Sequence, residues 1–346
     1  MRRGLTEPME RPGRFLLRLL GLSAFLILVL VVLSFLLLKL GAAPTVVLLG
    51  GPSPLPEEQA QLVVDYGLDR PAVVQFARYL IRVVSFDFGR SWLTAEPVLS
   101  ALLSRVPATL ELMLFGLVAG ALIGVPMGVA AAFARGGAED RAVRGTAILG
   151  EAMPPFLLCL VLLLVFFRWL DLSPAPSGRL SVVLTPPPVV SGSVFVDAVL
   201  MQDSVAARSA LGQLILPVLS LALLVGASLT LLVRSAVLVQ LQKAHLAYAR
   251  AQGMSREMLT GIALWGATPA ILSGLTAQTA TLIGTTALVE FVFAWGGVGQ
   301  YGLDAMAKAD FAGVQGFILL IGLFALLVHG FHGLVVRLAR LRIRRA

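Results

Sequence analysis

The sequence predicts an all-α, multi-pass membrane protein with six spanning helices. Hydrophobic residues make up 58% of the 346-residue chain and charged residues only 13%, whereas soluble domains carry about 25% charged residues. Several apolar runs exceed the length of about 20 residues that a helix needs to cross the hydrocarbon core. Arginines flank these runs, which is the usual placement of orientation signals in membrane proteins.

The net charge of +8 does not indicate a nucleic-acid partner, because the arginines lie beside apolar runs and fit a lipid bilayer. The single cysteine, Cys159, lies inside an apolar run. We therefore expect neither a disulfide within the chain nor a cysteine metal site.

The N-terminal region divides into three parts. Residues 1–14 are basic, and the apolar run 15–40 is long enough for a first span. A cleaved signal peptide is the alternative, with a weak cleavage site at Ala42-Ala43. The run exceeds the 7 to 15 residues typical of a signal peptide, which favours a retained helix. Residues 41–106 regain charges and prolines and are predicted to form an extracytoplasmic loop subdomain with amphipathic helices.

The predicted transmembrane core, residues 107–336, holds the other five spans. In the second span, 107–134, glycines recur every four residues at Gly116, Gly120, Gly124 and Gly128. They share one helical face, so another helix can approach closely there. General enrichment of glycine in membrane helices is the alternative.

A proline pair interrupts the third predicted span, 146–170. Pro154-Pro155 is expected to bend the helix and to free backbone carbonyls. An outer loop, 171–209, and the fourth span, 211–233, follow.

Residues 244–268 form a polar interruption that we call the coupling segment. Its composition predicts a short helix, a break at Gly253 and a second helix that Ser255 caps. Such a segment belongs on the membrane surface.

Polar side chains inside the spans are candidates for a substrate pathway. In the fifth span, 269–295, Gln278, Thr281 and Thr285 either face a wet path or hydrogen-bond to neighbouring helices. Ionisable groups cost about 2.5 to 3.5 kcal/mol at the membrane centre. Glu151 is therefore a candidate for substrate contact or for structural pairing. Glu290 lies nearer a span end, where capping or an interface role competes with a place in the pathway.

The sixth span, 317–336, precedes a basic tail, 337–346. Both termini and the loops after the second and fourth spans carry excess arginine, so the positive-inside rule places them all in the cytoplasm. This places the coupling segment on the side where ATP is available. The chain contains no G-x-x-x-x-G-K-[ST] loop and no catalytic motif such as H-E-x-x-H. We predict no catalytic residues and no enzyme activity in this chain.

Four sequence blocks resemble ABC importer permeases of the dipeptide and oligopeptide branch. Ala249-Arg250-Ala251-Gln252-Gly253 is similar to that branch's Ala-Arg-Ala-Lys-Gly, with Gln252 in place of lysine. Gly67-Leu68-Asp69-Arg70-Pro71 followed by Gln75, Tyr79, Asp87, Gly89 and Ser91 resembles GLD-x-P…Q-Y…GD-x-G-x-S. The stretch 173–179 is similar to T-P-x-S-G-R with one inserted residue. The stretch 290–316 resembles E-x-x-F-x-W-P-G-L-G…D-x-P-x-V-Q-G, with Gly296 in place of the first proline.

The resemblance implies a type I ABC importer permease fold in the bacterial cytoplasmic membrane. It implies a cytoplasmic coupling helix whose contacts with an ATPase involve Ala249, Arg250, Ala251, Gln252, Gly253, Met254 and Ser255. The implied partners are a second homologous permease subunit, two ABC ATPase subunits and an extracytoplasmic substrate-binding protein. The chain itself is expected to hold no cofactor or metal, and ATP and Mg are expected in the ATPases.

Di- and oligopeptides are the commonest cargo of the resembling family. Nickel chelates, glutathione or another small solute are alternatives. An ion-gradient-driven secondary transporter is a different class of function. It would predict paired acids in discontinuous spans and inverted repeats, and neither is evident in the sequence.

Overall fold

The structure is a computed structural model that describes residue 21 and residues 24–36, 70–91 and 94–345, with side chains described as far as residue 335. The described helices are α1 (Ala24–Leu36), α2 (Ala72–Val84), α3 (Val98–Leu103), α4 (Val106–Phe133), α5 (Ala138–Ala152), α6 (Pro155–Leu162), α7 (Val194–Leu200), α8 (Ser204–Leu241), α9 (Ala244–Ala251), α10 (Arg256–Val292), α11 (Val298–Ala307) and α12 (Phe311–Arg345). A π-helical turn, Leu163–Trp169, continues α6.

Four described helical segments are long and apolar enough to cross a membrane. They are Val98–Phe133, Ser204–Leu241, Arg256–Val292 and Phe311–Val335. A fifth span results if α5 and the helix that follows it count as one broken span. The first predicted span, 15–40, falls partly outside the described residues, and its described helix, α1, is a shorter apolar helix. The count of six spans stays a prediction.

The predicted bend in the third span is confirmed. Ala138–Ala152 and Pro155–Trp169 meet at 105°. Met153 and Pro154 have extended ψ angles of 125° and 132°, and Pro155 opens the next helix. A proline at a first helical position has no amide hydrogen to leave unsatisfied, so the sequence restarts the helix in a new direction.

The fourth and fifth spans are longer helices than predicted. Helix α8 extends the predicted 211–233 to Ser204–Leu241, and α10 extends 269–295 back to Arg256. Asp203 caps α8 by accepting hydrogen bonds from the Val205 and Ala206 amides at 3.1 and 2.9 Å. Pro217 and Pro269 lie inside these helices without ending them, so hydropathy marked the apolar part of each helix and not its ends.

The glycine face of α4 packs directly against α8, which confirms the prediction of close approach. Gly116, Gly120, Gly124 and Gly128 are all buried. A Cβ atom at Gly124 would lie 2.7 Å from the Gly226 carbonyl oxygen, and one at Gly128 would lie 2.7 Å from the Thr230 carbonyl oxygen. Only glycine lets the two backbones come this close.

The described residues group into two compact units, the first comprising the chain up to Leu99 with Ala309–Gly330 and the second comprising Ser100–Lys308 with the residues from Phe331 onward. Within the first unit, the Ser91 hydroxyl donates to the Asp310 carboxylate at 2.5 Å. The side-chain amide (Nε2) of Gln315 donates to the Ser34 backbone carbonyl oxygen at 3.0 Å. Two sequence blocks that lie more than 200 residues apart, around Ser91 and around Asp310, therefore meet in one unit.

Within the second unit, the loop before α7 is ordered by one carboxylate. Asp197 is 2% exposed and accepts hydrogen bonds from the Ser191 hydroxyl and amide, both at 2.7 Å, and from the Val190 and Gly192 amides at 3.2 Å. Burial acts to raise the pKa of Asp197, but these hydrogen bonds outweigh it and hold the pKa below its usual value.

Candidate functional site: the coupling segment and the turn between α10 and α11

The coupling segment has the helix–break–helix structure that the sequence predicts. Helix α9 ends at Ala251 with Gln252 as its C-cap, and Gly253 adopts a φ of +76°. The Gly253 amide donates to the Arg250 carbonyl and the Met254 amide to the Ala249 carbonyl, at 3.1 and 3.2 Å. This pair of bonds is a Schellman motif, which requires a left-handed residue and therefore favours glycine.

Ser255 begins the second helix as predicted. Its hydroxyl accepts a hydrogen bond from the Met258 amide at 3.3 Å, three residues into α10. Glu257 lies in the first turn, where a negative charge is stabilised by the helix dipole. The direction of α10 relative to α9 is thus set by two local features, the left-handed glycine and the serine cap.

One face of α9 is anchored in the protein core. Leu246 and Ala249, three residues apart, belong to a buried cluster with Val233 and Val237 of α8 and Leu259 of α10. We call this cluster the seat of the coupling helix. Further members are Ala132, Ala263 and Ala267. Because the seat includes residues of both α8 and α10, a displacement of α9 reaches two long apolar helices at once.

Other side chains of the coupling segment are exposed. Tyr248 is 67% exposed, and its hydroxyl accepts a hydrogen bond from the side-chain amide (Nε2) of Gln252 at 2.9 Å. Met254 is 37% exposed. Arg250 is exposed and makes no side-chain hydrogen bond or salt bridge to any residue that the structure describes. The exposed surface around α9 thus carries an arginine, a tyrosine and a methionine, a composition that suits a protein partner.

The predicted pathway residues lie in two places. Gln278, Thr281 and Thr285 recur along one face of α10, where Thr281 is exposed and the other two are half-buried. The Thr285 hydroxyl donates to the Thr281 carbonyl at 3.2 Å. Glu151 is exposed and accepts a hydrogen bond from the Ser228 hydroxyl at 3.2 Å. These side chains are accessible in the isolated chain, and their role in a pathway stays a prediction.

Glu290 is in a different environment from the other pathway candidates. It is fully buried, and its carboxylate accepts hydrogen bonds from the Thr109 hydroxyl at 2.6 Å and the Gln300 amide at 2.9 Å. A side chain at Gly297 would collide with this carboxylate. The structure therefore places Glu290 at the centre of the turn between α10 and α11, as a capping role requires, and a place in the pathway stays untested.

Two further hydrogen bonds hold the turn between α10 and α11 to α4. The Thr109 hydroxyl also accepts a hydrogen bond from the Val298 amide at 2.8 Å, and the Trp295 indole N–H donates to the Ala108 carbonyl at 3.1 Å. Sequence reasoning did not connect these residues. Thr109 and Glu290 are 181 positions apart, and no local periodicity links residues at that separation.

Neither region has the features of a metal site. Among the residues that the structure describes, no group of three or more histidine, cysteine, aspartate or glutamate side chains is arranged to hold a metal ion. Cys159 is buried in α6.

Comparison with known families assigns this architecture. Residues 124–342 match the model of the binding-protein-dependent transport system inner membrane component, and residues 13–113 match that of the N-terminal region of such membrane components. The chain belongs to this family of ABC importer permeases. The permease is 31% identical over 336 residues to the dipeptide transport system permease protein DppB of Escherichia coli K12, with 96% of this chain and 98% of the relative covered.

Two other relatives of the permease show similar coverage or identity. The di/tripeptide transport system permease protein DppB of Pseudomonas aeruginosa is 31% identical over 332 residues, covering 95% of this chain and 98% of the relative. The probable D,D-dipeptide transport system permease protein DdpB of Escherichia coli K12 is 36% identical over 264 residues, covering 76% and 77%. The permease is therefore a multi-pass membrane protein of the DppB and OppB type and a transport component.

Proposed function

We propose that this permease forms half of the translocation pathway of an ATP-driven importer for di- and oligopeptides and that a separate ATPase drives it through residues 244–268. The observation that carries the proposal is the two-sided coupling helix. Leu246 and Ala249 are fixed in the seat, while Arg250, Tyr248 and Met254 are left exposed. The names of the relatives, which transport dipeptides or tripeptides, support the substrate class.

The seat supplies a mechanical route from a partner to the spans. An ATPase that grips the exposed face of α9 would displace Leu246 and Ala249 together with Val233 and Val237 of α8. Interiors are close-packed and transmit displacement, so α8 and α10 would tilt as the nucleotide domains close. Alternating access then follows from motion at a surface helix, with ATP and Mg held by the partner.

The remaining partners follow from the incomplete pathway. One chain supplies one coupling segment, so the proposal includes a second homologous permease subunit, two ABC ATPases and an extracytoplasmic substrate-binding protein. The positive-inside rule places both termini and the coupling segment in the cytoplasm. Glu151, Gln278 and Thr281 would offer hydrogen-bonding groups to the peptide, and Glu151 could pair with its amino terminus.

The test replaces the unpaired cation of the coupling helix. Arg250→Glu, reconstituted with the partner subunits in a bilayer, is expected to lose the ATP hydrolysis that a receptor loaded with a mixed dipeptide pool stimulates. Reversing an interface charge of this kind costs about 2 kcal/mol or more of association energy when the charge is buried against the partner. The matched control is Arg135→Glu, which reverses another exposed arginine in the short loop between α4 and α5.

The two variants carry the same change in net charge, so any difference between them reports position. Stimulation that survives in Arg250→Glu at the level of Arg135→Glu would show that Arg250 is not part of the ATPase contact.

A further inference from the structure

A partly buried ion pair joins α5 to α8 close to the seat of the coupling helix. The Arg234 guanidinium meets the Asp140 carboxylate in a bidentate contact, with Nε–Oδ1 at 2.5 Å and Nη2–Oδ2 at 2.8 Å. The Asp140 side chain is 2% exposed and that of Arg234 is 18% exposed. The Gly136 amide donates a third hydrogen bond to Asp140 at 2.9 Å.

This geometry specifies position more than it contributes stability. Two parallel N–H···O bonds fix both the distance and the orientation of the two side chains. Replacing a buried pair with apolar residues is often neutral, whereas removing one partner leaves an uncompensated charge. Lysine cannot reproduce the planar fork of arginine. A retained bidentate pair therefore holds α5 in a single position against α8.

Arg234 belongs to the same stretch of α8 as the seat. It directly follows Val233 and lies one turn before Val237, and both valines are fully buried against Leu246 and Ala249 of α9. Motion that the coupling helix imparts to these valines must also displace the Arg234 guanidinium.

Asp140 connects the pair to the broken span. It lies in the first turn of α5, and the same helix ends at Ala152, just before the 105° bend. Near that end, Glu151 accepts a hydrogen bond from Ser228 of α8, and a Cβ atom at Gly150 would lie 3.1 Å from the Ala227 Cβ. Helix α5 is thus fastened to α8 at both ends, once near the seat and once beside the bend.

We propose that the Asp140–Arg234 pair is a strut that makes α5 and the bent span move with α8 when the coupling helix is displaced. The inference rests on the proposed function of the coupling segment and adds positioning residues that lie outside it. Through the Asp140–Arg234 pair, a displacement of α9 reaches α5 in addition to α8 and α10. Glu151, which is hydrogen-bonded to Ser228 of α8, then moves together with α8.

Two variants test the strut in the assembled importer in nanodiscs. Asp140→Asn keeps the side-chain size and an oxygen for the Gly136 amide but removes the charge, and Arg234→Lys keeps the charge but removes the fork. The ratio of receptor-stimulated to basal ATP hydrolysis is expected to fall roughly 2- to 30-fold in both, the range found for residues that modulate coupling between distant sites. Glu139→Gln, an exposed acid next to Asp140, is the matched control and should retain the ratio.

A distance measurement separates positioning from general destabilisation. Spin labels at His245→Cys on α9 and Leu149→Cys on α5, both exposed sites, are introduced into a Cys159→Ser background. With Asp140 present, the distance between the labels should be the same in the nucleotide-free and vanadate-trapped complexes, because α9 and α5 move together. In Asp140→Asn the distance should change on trapping.

The outcomes are distinct. A chain with both Asp140 and Arg234 that shows no receptor-stimulated hydrolysis would overturn the proposed function and the strut with it. Normal stimulation in that chain, with unchanged ratios and distances in Asp140→Asn and Arg234→Lys, would overturn the strut alone. Failure of both variants to assemble would also overturn it, since the pair would then serve folding and not coupling.

Discussion

The close contact between α4 and α8 predicts a large cost for adding two methyl groups to the glycine face. In Gly124→Ala with Gly128→Ala, each new Cβ atom would lie 2.7 Å from a backbone carbonyl oxygen of α8, well inside ordinary van der Waals contact. A backbone cannot rotate away as a flexible side chain can, so the helices must separate. Overpacking costs about 1–3 kcal/mol per site, or about 2–6 kcal/mol for the pair.

The control must cancel the higher helix propensity of alanine, which is worth up to about 1 kcal/mol per site. Gly261 and Gly284 of α10 have open space where a Cβ would be added, so Gly261→Ala with Gly284→Ala carries the propensity gain alone. The free energy of unfolding, measured by titration from mild detergent into dodecyl sulfate, should be about 2–6 kcal/mol lower in the first double variant than in the second. Equal stabilities would refute the close packing of the glycine face.

Two further predictions concern single residues. In Gly253→Ala the new side chain stands on a residue with a φ of +76°, and this left-handed conformation costs about 1 kcal/mol of stability. Amide hydrogen exchange across α9 should therefore accelerate about fivefold. The control Gly261→Ala should cause no acceleration. Because the folded pKa of Asp197 is depressed, its stabilising effect is fully present above the unfolded pKa of about 3.9 and is lost as pH falls through the folded value. The loop before α7 should therefore become less resistant to protease in acid, and Asp197→Asn should remove that pH dependence. The same acid sensitivity in Asp197→Asn as in the unmodified chain would contradict the role of the Asp197 carboxylate.

The sequence predicted local features well because their causes are local. The left-handed position at Gly253, the cap at Ser255 and the bend at Pro154-Pro155 each depend on the conformational preferences of one or two residues. The four-residue spacing of the glycines likewise defines a helix face without knowledge of its partner. Each of these features appears in the structure where the pattern placed it.

Features that depend on distant residues were not predictable from one chain. The bond between Thr109 and Glu290 joins positions 181 apart, and the pairing of Asp140 with Arg234 spans 94 positions. Hydropathy also missed the true ends of α8 and the true start of α10, because α8 extends beyond its apolar part at both ends and α10 begins in polar sequence before its apolar part. The polar extension of α10 is what brings Leu259 into the seat.

The most direct test of the account is a photocrosslink from the coupling helix. A benzoylphenylalanine placed at Tyr248, which is exposed on α9, is irradiated in the importer reconstituted with its ATPase, second permease and receptor. The account predicts a crosslink to the ATPase subunit. A crosslink to the receptor, or to lipid alone while the ATPase remains bound, would place this helix on the wrong side of the membrane or away from the motor and would contradict the account.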